Sequence, residues 1–188
     1  TNGGLTVKAI VMAGGKGTRL RPLTCKQPKP MVPIAGKPMI EYILDLLKQY
    51  QFTDIGMTLF YLPELIANYY GDGREFGVDL RYFIEETPLG TAGSVKNAEE
   101  FLDETFLVIS GDALTDINLG QALAFHRQRQ ALVTIVLTKV TNPLDYGVVI
   151  TETDGRIKRF LEKPGWGEVF SDTVNTGIYL IEPEVFRY

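Results

Sequence analysis

The sequence predicts an α/β fold: a Rossmann-like three-layer sandwich around a mixed, mainly parallel central sheet. Three observations carry that expectation. Short apolar runs alternate with amphipathic segments along most of the chain, the pattern of strands joined by crossover helices. The first apolar run, Val7–Met12, ends in a glycine cluster. Near the end, two strand-like runs flank Asp154-Gly155, a hairpin signal that adds antiparallel strands to the sheet. A chain of 188 residues builds one sizeable core, so a single domain over 7–188 is expected.

The elements follow in order. Val7–Met12 reads as a buried strand. Prolines 22, 28, 30, 33 and 38 forbid a long helix directly after the glycines. Pro38 suits the first turn of a helix whose apolar face is Ile40, Ile43, Leu44 and Leu47. Ile55–Phe60 is the second strand. Pro63–Tyr70 is a short helix stopped by Gly71-Asp72-Gly73. Leu80–Ile84 is the third strand, and Thr91 caps a helix running to about Phe101. Phe106–Ile109 is the fourth strand, ending at Ser110-Gly111-Asp112. Asn118 caps a helix with Leu119, Ala122, Leu123 and His126 on one face. Val133–Leu137 is the fifth strand, Val148–Thr151 and Ile157–Leu161 form the hairpin, and Gly177–Ile181 is the last strand.

Composition narrows the function classes. The net charge is −4, which argues against general nucleic-acid binding. Seven of the 19 Lys and Arg residues, and none of the 23 Asp and Glu, fall within residues 1–40. That basic run has no aromatic residue before Tyr42 on which a base could stack. Cys25 is the only cysteine, so neither an internal disulfide nor a multi-cysteine metal site is available. His126 is the only histidine, and no Gly-x-Ser-x-Gly elbow accompanies it. It sits on the apolar side of its helix and reads as a packing residue. No apolar run approaches 18 residues, so no spanning helix is expected. No signal-peptide core opens the chain. The expected setting is cytoplasmic, without nucleic-acid or membrane partners.

Cations beside backbone-exposing glycines are what a polyphosphate site requires. The loop Gly14-Gly15-Lys16-Gly17-Thr18-Arg19-Leu20 is not a dinucleotide fingerprint, because Leu20 stands where a third glycine belongs and prolines follow. Nor does it close on the Gly-Lys-Ser/Thr of a Walker loop. Read alone, it also admits a glycine turn with solvated charges. Asp112, just past a strand, is read either as a Mg²⁺ ligand shared with substrate phosphates or as a turn-capping carboxylate.

The longer string separates these readings. Ala9 to Thr24 (AIVMAGGKGTRLRPLT), then Pro28-Lys29-Pro30-Met31 and Gly36-Lys37-Pro38-Met39-Ile40, closely resembles the signature of the sugar-1-phosphate nucleotidyltransferases. The string Pro88-Leu89-Gly90-Thr91-Ala92-Gly93 looks most like the mannose-1-phosphate guanylyltransferases and related enzymes among them. Later segments agree in order: Glu85-Glu86-Thr87-Pro88-Leu89-Gly90-Thr91-Ala92-Gly93, Gly111-Asp112, Tyr146-Gly147-Val148, Glu162-Lys163-Pro164 and Asn175-Thr176-Gly177.

The resemblance implies attack by a sugar phosphate oxygen on the α-phosphorus of a nucleoside triphosphate, with pyrophosphate leaving. The nucleophile is already an anion, so the protein supplies positioning and charge neutralisation rather than a general base. By the resemblance, Arg19, Lys29 and Lys163 are catalytic. Ala13, Gly14, Gly15, Gly17, Thr18, Glu86, Leu89, Gly90 and Thr91 hold the nucleotide. Gly147, Glu162, Lys163, Asn175 and Thr176 hold the sugar phosphate, and Asp112 binds Mg²⁺. The expected substrates are GTP and mannose 1-phosphate. Thymidylyl or uridylyl transfer to glucose 1-phosphate, and a non-catalytic nucleotide-sugar-binding regulator, are the alternatives. A second metal-binding Asp of the family would lie beyond Tyr188. The domain is therefore expected to be truncated at its C-terminus, with a bare apolar edge that favours a homo-oligomer.

Overall fold

The computed structural model describes residues 7–162 and 171–188. Its strands and helices are β1 (Lys8–Met12), β2 (Pro33–Ile34), β3 (Lys37–Pro38), α1 (Met39–Gln49), β4 (Asp54–Leu59), α2 (Pro63–Tyr70), β5 (Asp79–Ile84), α3 (Gly90–Lys96), β6 (Phe106–Ser110), α4 (Leu119–Arg129), β7 (Val133–Lys139), β8 (Gly147–Thr151), β9 (Ile157–Glu162) and β10 (Thr173–Ile181). The backbone forms two compact units: residues up to Thr134 with Tyr179–Tyr188, and Ile135–Ile178.

In the first unit the strand order is β5-β4-β1-β6, and all neighbours are parallel. The register pairs Met12 with Thr58 on one side and with Ser110 on the other. The strands therefore finish together, and the loops after β1, β4, β5 and β6 leave from one edge, where α/β sheets bind ligands. Ala9, Ile10, Val11, Ile55, Met57, Leu107 and Ile109 are buried almost completely, as strands covered on both faces require.

The helices bury the faces their periodicity marks. Ile40, Ile43, Leu44 and Leu47 of α1 are at most 1% exposed. Pro63 opens α2, and Gly71 with φ of 54° ends it, as a residue free of Cβ strain should. The Asn118 carboxamide oxygen accepts the Gln121 N–H at 2.9 Å, capping α4. His126 is fully buried: its Nδ1 pairs with Thr134 Oγ1 at 2.7 Å and its Nε2 with Glu182 Oε1 at 2.8 Å. The expectation of a satisfied packing histidine holds.

The segment after β5 differs from expectation. Thr91 does not cap a helix; α3 begins at Gly90 with Leu89 as its N-cap and no side-chain cap bond, and it stops at Lys96. A separate 3₁₀ turn covers Glu99–Phe101. The physical reason lies in the core. Val95, Ala98, Phe101 and Leu102 pack with Ile10, Phe106 and Val108, and a broken helix delivers all four to one cluster. Phe186 stacks on Phe106 at 5.7 Å between ring centroids.

In the second unit β8 and β9 form the antiparallel hairpin, in the register Gly147–Glu162 and Val148–Leu161. β10 pairs antiparallel to β8, with Val174 opposite Val148. β10 begins at Thr173, four residues before the expected start, because Val174 joins Val148, Val149 and Ile178 in burial. Parallel strands in one unit and antiparallel strands in the other make the fold mixed α/β. Among the described residues, no helix is long and apolar enough to cross a membrane.

Candidate active site

The site is built at the shared strand edge. Ala13 leaves β1 with its N–H on the Thr58 carbonyl at 2.9 Å. A Cβ on Gly14 would stand 3.3 Å from Phe60 Cβ, so the chain passes close over the end of β4. The N–H groups of Gly14 to Gly17 take no backbone partner among the described residues. Gly17 has φ of 59° and starts a 3₁₀ turn at Thr18–Leu20. The buried Thr24 hydroxyl donates to the Gly17 carbonyl at 2.8 Å and fixes the turn.

Asp112 reaches the same place from β6. Gly111 donates its N–H to the Met12 carbonyl at 2.7 Å, and a Cβ there would stand 3.0 Å from that oxygen. A side chain there would crowd that oxygen, and the glycine approach ties the Asp112 turn to the start of the glycine loop. The Asp112 carboxylate accepts from Ser110 Oγ at 2.6 Å on Oδ1 and from Lys29 Nζ at 2.5 Å on Oδ2. Burial pushes this carboxyl up, but the Lys29 and Ser110 hydrogen bonds outweigh burial and hold it below the ordinary range. Lys29 opens a 3₁₀ turn between Pro28 and the buried Pro30.

Together these residues line one cleft of about 400 Å³, walled by Ala13, Gly15, Gly17, Thr18, Arg19, Lys29 and Asp112, with Met12, Leu20, Pro30 and Ser110 completing it. Seven of the expected site residues thus converge. Arg19 is exposed and forms no ion pair among the described residues. Gly14 faces Phe60 instead of lining the cleft.

Among the described residues, no three His, Cys, Asp or Glu side chains converge as a metal-holding group. A single half-buried carboxylate fits Mg²⁺ in one mode only, with substrate phosphates and water supplying the other oxygens. Asp112 has the right chemistry and place for that mode.

The expected base-recognition segment follows β5. Glu86, Leu89, Gly90 and Thr91 are all exposed, whereas Glu85 is 7% exposed. Glu85 Oε2 accepts the Leu89 N–H at 3.2 Å, and its Oε1 is buried without a partner. A buried carboxylate oxygen without a partner is costly. The sequence reading named Glu86 and passed over Glu85, Ser110 and Thr24. No alternation separates the two: burial along β5 is not period two, and a pattern running from the buried Leu80 would point to Glu86.

The expected sugar-phosphate residues lie in the second unit. Gly147 starts β8 opposite Glu162, and a Cβ on it would meet Phe160 Cζ at 2.8 Å and Glu162 Oε2 at 3.0 Å. Asn175 Oδ1 accepts the Gly177 N–H at 2.8 Å, and Thr176 Oγ1 donates to the Val136 carbonyl at 2.7 Å. Lys163 lies outside the described residues.

A parallel sheet with a cationic glycine turn and an acidic turn at its carboxyl edge is the α/β arrangement in which ligands sit beyond the strand ends. The nucleotidyl transferase family model matches residues 8–188, and the chain belongs to that family. It is 43% identical over 196 residues to a UTP–glucose-1-phosphate uridylyltransferase of Synechocystis, covering 97% of this chain and 50% of that protein. It is 39% identical over 180 residues to a mannose-1-phosphate guanylyltransferase of Mycobacterium tuberculosis, covering 95% and 50%. The chain spans about half the length of these relatives. Its fold matches a Bacillus anthracis protein classed as a glucose-1-phosphate thymidylyltransferase and crystallised with sucrose, at a TM-score of 0.89 and 30% identity, over 97% of this chain and 74% of that one.

Proposed function

We propose that this protein transfers a nucleotidyl group from a nucleoside triphosphate to a hexose 1-phosphate. The carrying observation is the convergence of Arg19, Lys29 and Asp112 on the open N–H groups of the glycine turn, in one cleft. The turn binds the triphosphate through its main chain. Arg19 neutralises the departing pyrophosphate, and Lys29 holds phosphate at the reacting centre. Asp112 holds Mg²⁺, which supplies charge neutralisation at the phosphates when bound. Gly147, Glu162, Lys163, Asn175 and Thr176 receive the sugar phosphate.

For the base, the support comes from the string Pro88-Leu89-Gly90-Thr91-Ala92-Gly93, which looks most like that of guanylyltransferases, and from the 39% identity to a mannose-1-phosphate guanylyltransferase. Both favour GTP, with mannose 1-phosphate as its acceptor. The identity to a uridylyltransferase keeps UTP with glucose 1-phosphate as the second reading.

The test is pyrophosphate release over a grid of four triphosphates and several hexose 1-phosphates with Mg²⁺. GTP with mannose 1-phosphate is expected to give the highest kcat/KM. Higher activity with UTP overturns the base assignment. Absence of release across the grid, with nucleotide-sugar binding retained, favours a non-catalytic regulator.

A further inference from the structure

Both oxygens of Asp112 are already engaged, one by Ser110 Oγ and the other by Lys29 Nζ. The two charged side chains are each about one-third exposed, so the pair is neither fully screened nor sealed. Lys29 is anchored at its backbone. Pro28 and Pro30 flank it, its carbonyl accepts the Val32 N–H at 3.1 Å, and Gly17 presses against its Cβ. Its flexible four-carbon stem is thus the part free to redirect the ammonium within the cleft that Gly17, Thr18 and Arg19 also line.

We propose that Lys29 is the resident counter-cation of Asp112, and that the pair makes phosphate and divalent-cation binding mutually dependent. This rests on the nucleotidyl transfer reading of the cleft. A phosphate alone must draw Lys29 away and leave Asp112 as an unpaired anion beside it. A divalent cation alone must displace Lys29 and leave two positive groups together. When both arrive, Lys29 turns to the phosphate and Asp112 is released to the cation, so every charge keeps a partner. Each ligand then raises affinity for the other, and by linkage the two effects are equal. Ser110 holds Oδ1 throughout and keeps the carboxylate aimed while Oδ2 changes partner.

The test reads Mn²⁺ binding to the nucleotide-free protein by electron paramagnetic resonance, and inorganic pyrophosphate binding by calorimetry in EDTA. In Lys29→Gln, Mn²⁺ affinity rises about fivefold, the scale of one partly exposed ion pair removed as competitor. Pyrophosphate affinity falls in the same variant. Lys29→Arg keeps the pair and leaves Mn²⁺ affinity near wild type. Unchanged or weaker Mn²⁺ binding by a folded Lys29→Gln overturns the proposal, as does Mn²⁺ binding by no variant. If Lys29→Gln does not fold, the lysine Nζ resonance lost in Lys29→Arg identifies Lys29 in the wild type. That resonance shifts when Mg²⁺ and pyrophosphate are added together and little with either alone; additive or absent shifts overturn the proposal. None of these measurements needs turnover, so failure here is distinct from an inactive substrate grid.

Discussion

Gly17 lies against the base of the Lys29 side chain: a Cβ on Gly17 would stand 2.8 Å from Lys29 Cβ and 3.0 Å from Thr24 Cγ2. The same glycine has φ of 59°, a conformation in which other residues are strained. Gly17→Ala therefore meets both a steric and a backbone cost. It is expected to lower stability by about 1–3 kcal/mol and to displace Lys29, reducing pyrophosphate release. Urea unfolding and the release assay check the two effects; a variant equal to wild type in both would show that the approach is slack.

Arg19 is exposed and unpaired among the described residues, so its removal leaves folding nearly untouched. Arg19→Ala is expected to lower kcat by roughly 10²–10³ through lost charge stabilisation, with an unchanged melting temperature. Turnover within a few-fold of wild type would remove Arg19 from the reacting centre.

Glu85 holds the expected base-recognition segment, its Oε2 accepting the Leu89 N–H. Glu85→Ala removes that bond and is expected to raise the KM for the triphosphate about tenfold, the scale of one hydrogen bond to a charged group, with kcat less affected. Initial rates over a triphosphate series check it, and an unchanged KM would place base recognition elsewhere.

Tyr82 donates to the Gly71 carbonyl at 2.7 Å, and burial pushes its hydroxyl up to about 12 from 10.0. Burial pushes Tyr70 up as well, and its hydroxyl oxygen has no partner. A raised folded-state value means the unfolded chain ionises first. The stability these groups contribute is complete below about pH 10 and is lost as pH rises toward 12. Tyr82→Phe is expected to flatten that alkaline decline. Urea midpoints measured from neutral pH upward test it, and an equally steep decline in the variant would contradict it.

The fold was legible wherever burial and periodicity coincide. The α1 stripe, the Asn118 cap and the hairpin around Asp154-Gly155 depend on local pattern, and each stands where that pattern puts it. The helix after β5 was misjudged because its length is set by the Phe101 cluster, a tertiary demand that overrides a Thr cap. The cleft that gathers the glycine turn, Arg19 and Lys29 was legible because glycines and cations declare themselves in one dimension. Ser110 and Glu85 were not: a serine beside Gly-Asp has no signature, and of two adjacent glutamates the one turned inward is the one that bonds the Leu89 N–H, a contact the strand pattern does not show. Thr24 was missed for a similar reason, since its bond to the Gly17 carbonyl closes a loop whose path the sequence leaves open.

The parallel pairing of Met12 with Ser110 has one more consequence. The span from the glycine turn to the acidic turn is ruled by a rung of a dry ladder, not by any solvent-facing loop. Drift at the surface leaves that gauge alone, whereas a slip of one rung deep inside would blunt the chemistry without altering a single reactive group.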